Sequence, residues 1–324
     1  QVLCHRDVMS EEPAAGLPRS ELLELTDPLD RLRGRATIDA TADTPTQRLT
    51  RASMDRAAAI LRSADVLHLH GPWTPSNHAL ARLAKSLGVP YVLSAHGMLD
   101  EWCMQQGALK KRVFLALAAR RTLSEARALH FTARGEQEQA AKVVPAAAIA
   151  RSGVIPLVFD TSLFNDLPGP EEAQRAFGLG GEPVFLFLSR VHPKKGVERL
   201  LKAAAELLPR NFSVVIAGPA ESAGYLDSLC ALAAGVGLSE RVKFPGIVSG
   251  RLKVSLYQAA TAFVLPTSQE NFGFVLIEAM LAGVPVVTTR GVDIWPELEA
   301  GGGAVITDGS AAAIARPWFS QVAG

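Results

Sequence analysis

Two carboxylates stand eight positions apart in the stretch Glu270-Asn271-Phe272-Gly273-Phe274-Val275-Leu276-Ile277-Glu278. If the whole span were helical, that spacing would separate them by about 12 Å of axial rise, a reach suited to gripping two ends of one elongated ligand. A second cluster, Arg190-Val191-His192-Pro193-Lys194-Lys195-Gly196, gathers three cations within six positions. Arg190 offers a planar fork to phosphate oxygens, whereas Lys195 supplies a compact charge able to neutralise a leaving group, so cations of both kinds beside a helix start suit a diphosphate.

The neighbouring residues say how these groups are held. Phe185-Leu186-Phe187-Leu188-Ser189 reads as a buried strand, which puts Arg190, Lys194 and Lys195 in the loop at its carboxyl end, where ligands bind in open α/β sheets. Pro266-Thr267-Ser268-Gln269 likewise reads as the loop after a strand, and the apolar run from Gly273 to Leu281, closed by Gly283, reads as a buried helix. Glu270 is therefore expected in a loop and Glu278 inside the helix. Between them the backbone of Asn271, Phe272 and Gly273 offers N–H groups at a helix N-terminus, a place that favours an anion.

Composition narrows the class. With 33 basic and 32 acidic residues the net charge is +1, so no global field favours nucleic acid, and no nucleic-acid partner is expected. Hydrophobic residues make up 48% of the 324, ample for large buried sheets. No run approaches the roughly 20 apolar residues of a membrane span. Cys4, Cys103 and Cys230 lie far apart without metal-ligand spacing, which fits a reducing cytoplasm better than a disulfide framework. The chain starts at Gln1 with no basic-then-apolar leader, and reads as a cut or incomplete end.

Apolar strand runs alternate with helical patterns from Thr46 to Thr132 and again from Val184 to Thr288, which implies two parallel sheets covered on both faces. The expected fold is α/β, with two Rossmann-like doubly wound domains facing a cleft. Leu167-Pro168-Gly169-Pro170 is the best linker, giving domains over 1–167 and 168–324. Residues 1 to about 45 read as irregular, and the Gly301-Gly302-Gly303 and Ala-rich tail reads as ending without closing helices.

Taken together, these segments resemble the retaining nucleotide-sugar glycosyltransferases of GT-B architecture, specifically family 4 (group 1). The likeness runs from about Asp65 to Asp308 and rests on Ser189-Arg190 with Lys194-Lys195-Gly196, on Glu270 to Glu278, and on Gly283-Val284-Pro285-Val286-Val287. Ile216-Ala217-Gly218, Phe244-Pro245-Gly246, His70-Gly71-Pro72-Trp73 and Ser94-Ala95-His96-Gly97 support it. The resemblance implies that Arg190 and Lys195 hold the donor diphosphate, Glu270 the donor sugar and Glu278 the ribose. It also implies that Asn271, Phe272 and Gly273 assist through their backbone, that Gly246 and its neighbours lie against the base, and that His96 reaches the donor sugar. The family's first strand with its glycine-rich loop has no counterpart before Asp65, and its final crossover helices are missing.

The implied reaction transfers a sugar, with retention, from a nucleotide diphosphate sugar to a glycan or lipid-linked acceptor in cell-surface polysaccharide or lipopolysaccharide assembly. No cofactor and no metal are expected: the nucleotide sugar is a co-substrate, and no Asp-x-Asp occurs in the chain. The expected location is the cytoplasm, at the inner face of the membrane if the basic, apolar-centred segment Lys110–Arg121 lies on anionic lipid; that segment reads equally as a helix packed on the first sheet. Other readings stay open at this point: a truncated, inactive nucleotide-binding fragment, or a nucleotide-sugar epimerase on the same architecture. Glu278 reads alternatively as a helix carboxylate satisfied by a neighbour, and His96 as a packed loop histidine. His68 and His70 share a strand face at metal-ligand spacing but without a third ligand in view.

Overall fold

The computed structural model describes residues 49, 51–158 and 160–319. In chain order its elements begin with α1 (Arg51–Leu61), β1 (Leu67–His70), α2 (Pro75–Ser86), β2 (Tyr91–Ser94), α3 (Glu101–Gln105) and α4 (Ala108–Phe114). A π turn over Leu115–Ala119 leads to α5 (Arg120–Glu125), β3 (Ala128–Phe131), α6 (Arg134–Ala140), α7 (Ala146–Ile149) and β4 (Ser152–Val154). Then come α8 (Glu171–Phe177), β5 (Val184–Leu188), α9 (Val197–Ala205), β6 (Ser213–Ala217), α10 (Ala223–Gly235), β7 (Val242–Gly246) and α11 (Gly250–Ala259). The chain ends through β8 (Ala262–Leu265), α12 (Phe274–Leu281), β9 (Val286–Thr289), α13 (Trp295–Ala300), β10 (Ala304–Thr307) and α14 (Ala311–Phe319).

These elements form two units. One runs through Phe131 and resumes over Glu136–Ile155; the other comprises Thr132–Gly135 and continues from Pro156. The Leu167–Pro170 stretch lies within the second unit, where the Gly169 N–H donates to Gln258 Oε1 at 2.7 Å. Both sheets are parallel, as the alternation of strand and helix requires. The first unit's described strands stand in the order β1-β2-β3-β4, and the second unit's in the order β10-β9-β8-β5-β6-β7. In the second sheet the winding reverses between β5 and β8, so the carboxyl ends of those two strands flank a topological switch point.

Sequence pattern explains which strands are covered. Val184 to Phe187 are buried on both faces, and so are all five residues of β6, matching their unbroken apolar runs. β1 alternates instead: Leu67 and Leu69 point into the first core, while His68 and His70 share the other face. Helix α9 shows the complementary signature, burying Val197, Leu200, Leu201 and Ala204 at helical spacing against the second core.

The tail departs from expectation. The Ala-rich segment after the triple glycine forms α14, and its Trp318 is fully buried, stacked 4.2 Å from the Phe185 ring at the heart of the second core. The edge strands β4 and β10 were also unforeseen: β4 is only Ser-Gly-Val, whereas β10 does carry the branched run Val305-Ile306-Thr307, which follows directly on the triple glycine and was overlooked. The irregular region expected over the first 45 or so residues lies outside the described residues.

Candidate functional site

At the switch point of the second sheet, backbones approach so closely that only glycine fits. A Cβ on Gly218, just past β6, would overlap the Ser189 carbonyl at the end of β5, and one on Gly196 would overlap the Pro266 carbonyl after β8. Gly291 sits 2.6 Å, at its ideal Cβ position, from the Thr267 carbonyl oxygen. These contacts draw the loop after β5 and the loop after β8 into one rim. Hydrogen bonds lace them: the Ser268 N–H donates to the Lys194 carbonyl at 2.7 Å, and Lys194 Nζ donates to Gln269 Oε1 at 3.2 Å.

Within this rim lie Arg190, Lys195 and Glu270. His192 Nδ1 accepts from the Lys194 N–H at 3.1 Å, capping a single 3-10 turn over Pro193–Lys195 that turns Lys195 inward. Lys195 is buried and its Nζ forms an ion pair with Glu270 Oε2. Burial pushes the Lys195 ammonium down to about 7, and the positive charges of Lys194 and Arg190 push in the same direction. Glu270 is the counter-charge that favours the ammonium. Its own backbone is fixed on both sides: its N–H donates to the Gly291 carbonyl at 2.8 Å and its carbonyl accepts from the Asp293 N–H at 2.9 Å. Arg190 is exposed at the mouth of the same rim.

Glu278 has a different setting. Gly273, at φ 69°, ends the loop and α12 starts at Phe274, so Glu278 stands inside the helix as expected. Both of its oxygens are engaged by α11: Lys253 Nζ donates to Oε1 at 2.9 Å and the Tyr257 hydroxyl donates to Oε2 at 2.8 Å. Tyr257 is fully buried, and burial, reinforced by the Glu278 carboxylate, raises its phenol above the ordinary range. The expectation that a neighbour satisfies this carboxylate therefore holds, and the two partners were not singled out from sequence. Lys253 and Tyr257 stand at i, i+4 on one helix, a spacing that puts them on one side but does not name the carboxylate they face.

The backbone contributors fall nearby in the chain. Phe272 is buried against Phe274, ring centroids 5.1 Å apart, and Asn271 Oδ1 accepts from the Thr132 hydroxyl at 3.1 Å. Gly246 closes β7 at φ 74°, and its carbonyl accepts from the Gly218 N–H at 2.7 Å.

His96 belongs to the first unit, in the loop after β2, where it is the one non-glycine residue with positive φ (52°) among those described. The adjacent Gly97 N–H donates to the buried Glu136 carboxylate at 2.7 Å, which anchors the turn. Four imidazoles meet there. His70 Nδ1 lies 2.7 Å from His96 Nε2 with the rings stacked, and Ser94 Oγ lies 2.7 Å from both His68 Nε2 and His130 Nδ1. His130 Nε2 donates to the Ile155 carbonyl at 2.8 Å, so its Nδ1 must accept the Ser94 proton. Burial foremost, and then the neighbouring imidazoles, lower the basicity of His68, His70 and His96. His130 was not foreseen, although it stands at the end of β3 as His70 does at the end of β1. Among the described residues no group of three or more His, Cys, Asp or Glu side chains is arranged to hold a metal ion.

The basic segment forms α4, the π turn and α5, exposing Leu109 and Val113 beside Lys110 and Arg112, while Lys111 folds back to the Cys103 carbonyl at 2.7 Å. No described helix is long and apolar enough to cross a membrane.

Comparison with known proteins identifies the family and the fold. Residues 170–317 match the family model for glycosyl transferases group 1, and residues 7–157 match that for the glycosyl transferase 4-like domain. The D-inositol 3-phosphate glycosyltransferase of Nocardia farcinica is 32% identical over 209 residues, 61% of this chain and 46% of its own length. The chain spans about half the length of the curated relatives it matches. Among solved structures, Anabaena HepE, determined in complex with UDP and glucose, superposes with a TM-score of 0.69 at 20% identity over 92% of this chain and 80% of that one. The apo lipopolysaccharide outer core galactosyltransferase WaaB superposes with a TM-score of 0.57 at 19% identity over 84% and 69% of the two chains. With a group 1 model covering the second unit's site and a 4-like model covering most of the first, the chain belongs to the family 4 glycosyltransferases of GT-B architecture.

Proposed function

We propose that this chain binds a nucleotide diphosphate sugar at the rim of its second sheet and transfers the sugar, with retention, to a glycan or lipid-linked acceptor. The observation that carries the reading is the pair of buried Lys195 with half-buried Glu270 at the β5/β8 switch point, with Arg190 and Lys194 adding positive charge beside it. Such a cation, short of negative charge, suits the diphosphate, and Glu270 suits hydroxyls of the sugar attached to it.

In this reading the bond from the anomeric carbon to the diphosphate oxygen breaks, and its electron pair leaves with the diphosphate. The acceptor oxygen bonds to the same carbon on the same face, and its proton passes to the leaving phosphate. Lys195, Arg190 and the N–H groups of Phe272 and Gly273 stabilise the charge that builds on that phosphate. Glu278 accepts from the ribose hydroxyls, Gly246 and its neighbours lie against the base, and His96 bonds the sugar. The chemistry asks for no cofactor and no metal. The complexes named for Anabaena HepE make UDP the first base to test, and the relatives' names point to a phosphorylated polyol or a lipopolysaccharide core as acceptor classes. The exposed Leu109–Val113 stripe with its flanking cations would bring the protein to anionic lipid on the cytoplasmic face.

The test is a panel of UDP-, GDP- and ADP-sugars scored by calorimetric binding and by release of the nucleoside diphosphate, with glycan and lipid-linked acceptors added. One member of the panel is expected to bind and to release its nucleotide. Binding without release under every acceptor would reduce the chain to a nucleotide binder, and no binding at all would remove the proposal.

A further inference from the structure

Glu278 carries two oxygens with about four acceptor positions between them, and the fold uses one position on each. Lys253 and Tyr257 stand four residues apart on α11, so their heads reach the same side of that helix and meet the carboxylate on α12 from one direction. The Tyr257 hydroxyl has a single proton, and Glu278 Oε2 at 2.8 Å is a better acceptor than the Val275 carbonyl at 3.4 Å. Burial keeps the phenol protonated, so it remains a donor at any working pH. Lys253 supplies the opposite charge to a carboxylate whose side chain is only 13% exposed. A glutamate has several side-chain torsions, and one held at both oxygens has already lost the freedom that a ligand would otherwise have to remove.

We infer that Tyr257 and Lys253 are positioning residues for the nucleotide: by occupying one lone pair on each Glu278 oxygen they aim the remaining lone pairs at the ribose 2′ and 3′ hydroxyls. The inference rests on the reading of Glu278 as the ribose ligand. It adds that α11, which begins four residues after Gly246, sets the nucleoside end of the site from both sides, through the loop before it and the two side chains on it.

UDP and 2′,3′-dideoxy-UDP, titrated calorimetrically against the wild type, Tyr257→Phe and Lys253→Met, test it. The wild type is expected to bind UDP at least about tenfold more tightly than the dideoxy analogue. Each variant should weaken UDP about tenfold while changing the dideoxy analogue less than about twofold, because the lost contact is to the missing hydroxyls. With the UDP-sugar, KM should rise and kcat hold. Equal weakening of both nucleotides would show a purely structural brace and overturn the inference, as would unchanged affinity for both. Lys253 is partly exposed, so its variant decides the matter even if Tyr257→Phe melts early. A wild type that binds both nucleotides equally removes Glu278 from the ribose and the inference with it, yet leaves the donor class intact. A wild type that binds neither is titrated in the same way with GDP and ADP and their dideoxy analogues, and one that binds none of the three overturns both.

Discussion

Glu270 and Glu278 each meet a lysine, but the two pairs are built in opposite senses. In the first the cation is the hidden partner: the Lys195 side chain is 4% exposed against 20% for Glu270, and its neighbours Lys194 and Arg190 repel it. In the second the carboxylate is the more hidden, at 13% against 20% for Lys253, and it receives a second, neutral donor from Tyr257. The first pair is therefore short of negative charge and the second is already neutral and braced. An anionic diphosphate relieves the former, and uncharged hydroxyls suit the latter. On the proposed reading, in which both carboxylates grip one ligand, their surroundings give them different work.

Removing either member of the first pair should separate the two sites most widely. Lys195→Met and Glu270→Ala are each expected to lower kcat for nucleoside diphosphate release by about 100- to 1000-fold, the usual cost of losing one group that stabilises developing charge. The circular dichroism spectrum should be unchanged. Lys253→Met should leave kcat within about threefold and act on KM. If both lysines give the same kinetic pattern, the distinction between the pairs is lost.

The next effect is on stability and concerns how the first pair is held. Gly196 has φ 76° and no room for a Cβ beside the Pro266 carbonyl, whereas Gly283, at the end of α12, has φ 80° and open space around it. Gly283→Ala carries only the backbone strain, about 1 kcal/mol, while Gly196→Ala adds a clash between the two loops and should cost about 2–4 kcal/mol. Urea denaturation measures both. Loss of nucleotide binding should accompany only Gly196→Ala, since that glycine and not the other keeps the Lys195 loop against the Glu270 loop. Equal midpoints for the two variants would mean that the close approach is not what fixes the pair.

Much of this was legible in the residues. β5, β6 and β8 announce themselves as unbroken apolar runs, and Arg190, Lys195 and Glu270 could be placed at strand ends because the carboxyl edge of a parallel sheet is the only place such loops can go. The partners could not be read in the same way. Tyr257 looks like one more aromatic of a buried helix, and nothing local marks its hydroxyl as aimed at a carboxylate 21 residues on. His130 joins His68 through Ser94 because three parallel strands end together, a register that no single strand encodes. Helix α14 was missed because an Ala-rich run is weakly patterned, and its one strong signal, Trp318, needed Phe185 to explain it.

The smallest expected effect is also the most specific to the first pair. In the free protein Lys195 loses its proton as pH rises through about 7, because burial and like charge disfavour the ammonium. In the unfolded chain a lysine holds its proton to about 10.4, so this residue makes the fold more stable with rising pH between those values. Ligand binding runs the other way. A bound diphosphate restores the charge, so binding above about pH 7 must take up a proton, approaching one per site near pH 8.5, and almost none below about pH 6. Affinity should then fall about fivefold from pH 7 to pH 8. UDP-glucose is the appropriate probe because it lacks a terminal phosphate monoester that would titrate in the same window. Calorimetry in two buffers of different ionisation enthalpy counts the protons directly. The uptake should vanish in Lys195→Met and persist in Lys253→Met, which leaves Lys195 and its surroundings in place. Uptake that survives in Lys195→Met would assign the proton to another group and leave the contrast between the two pairs without its electrostatic basis.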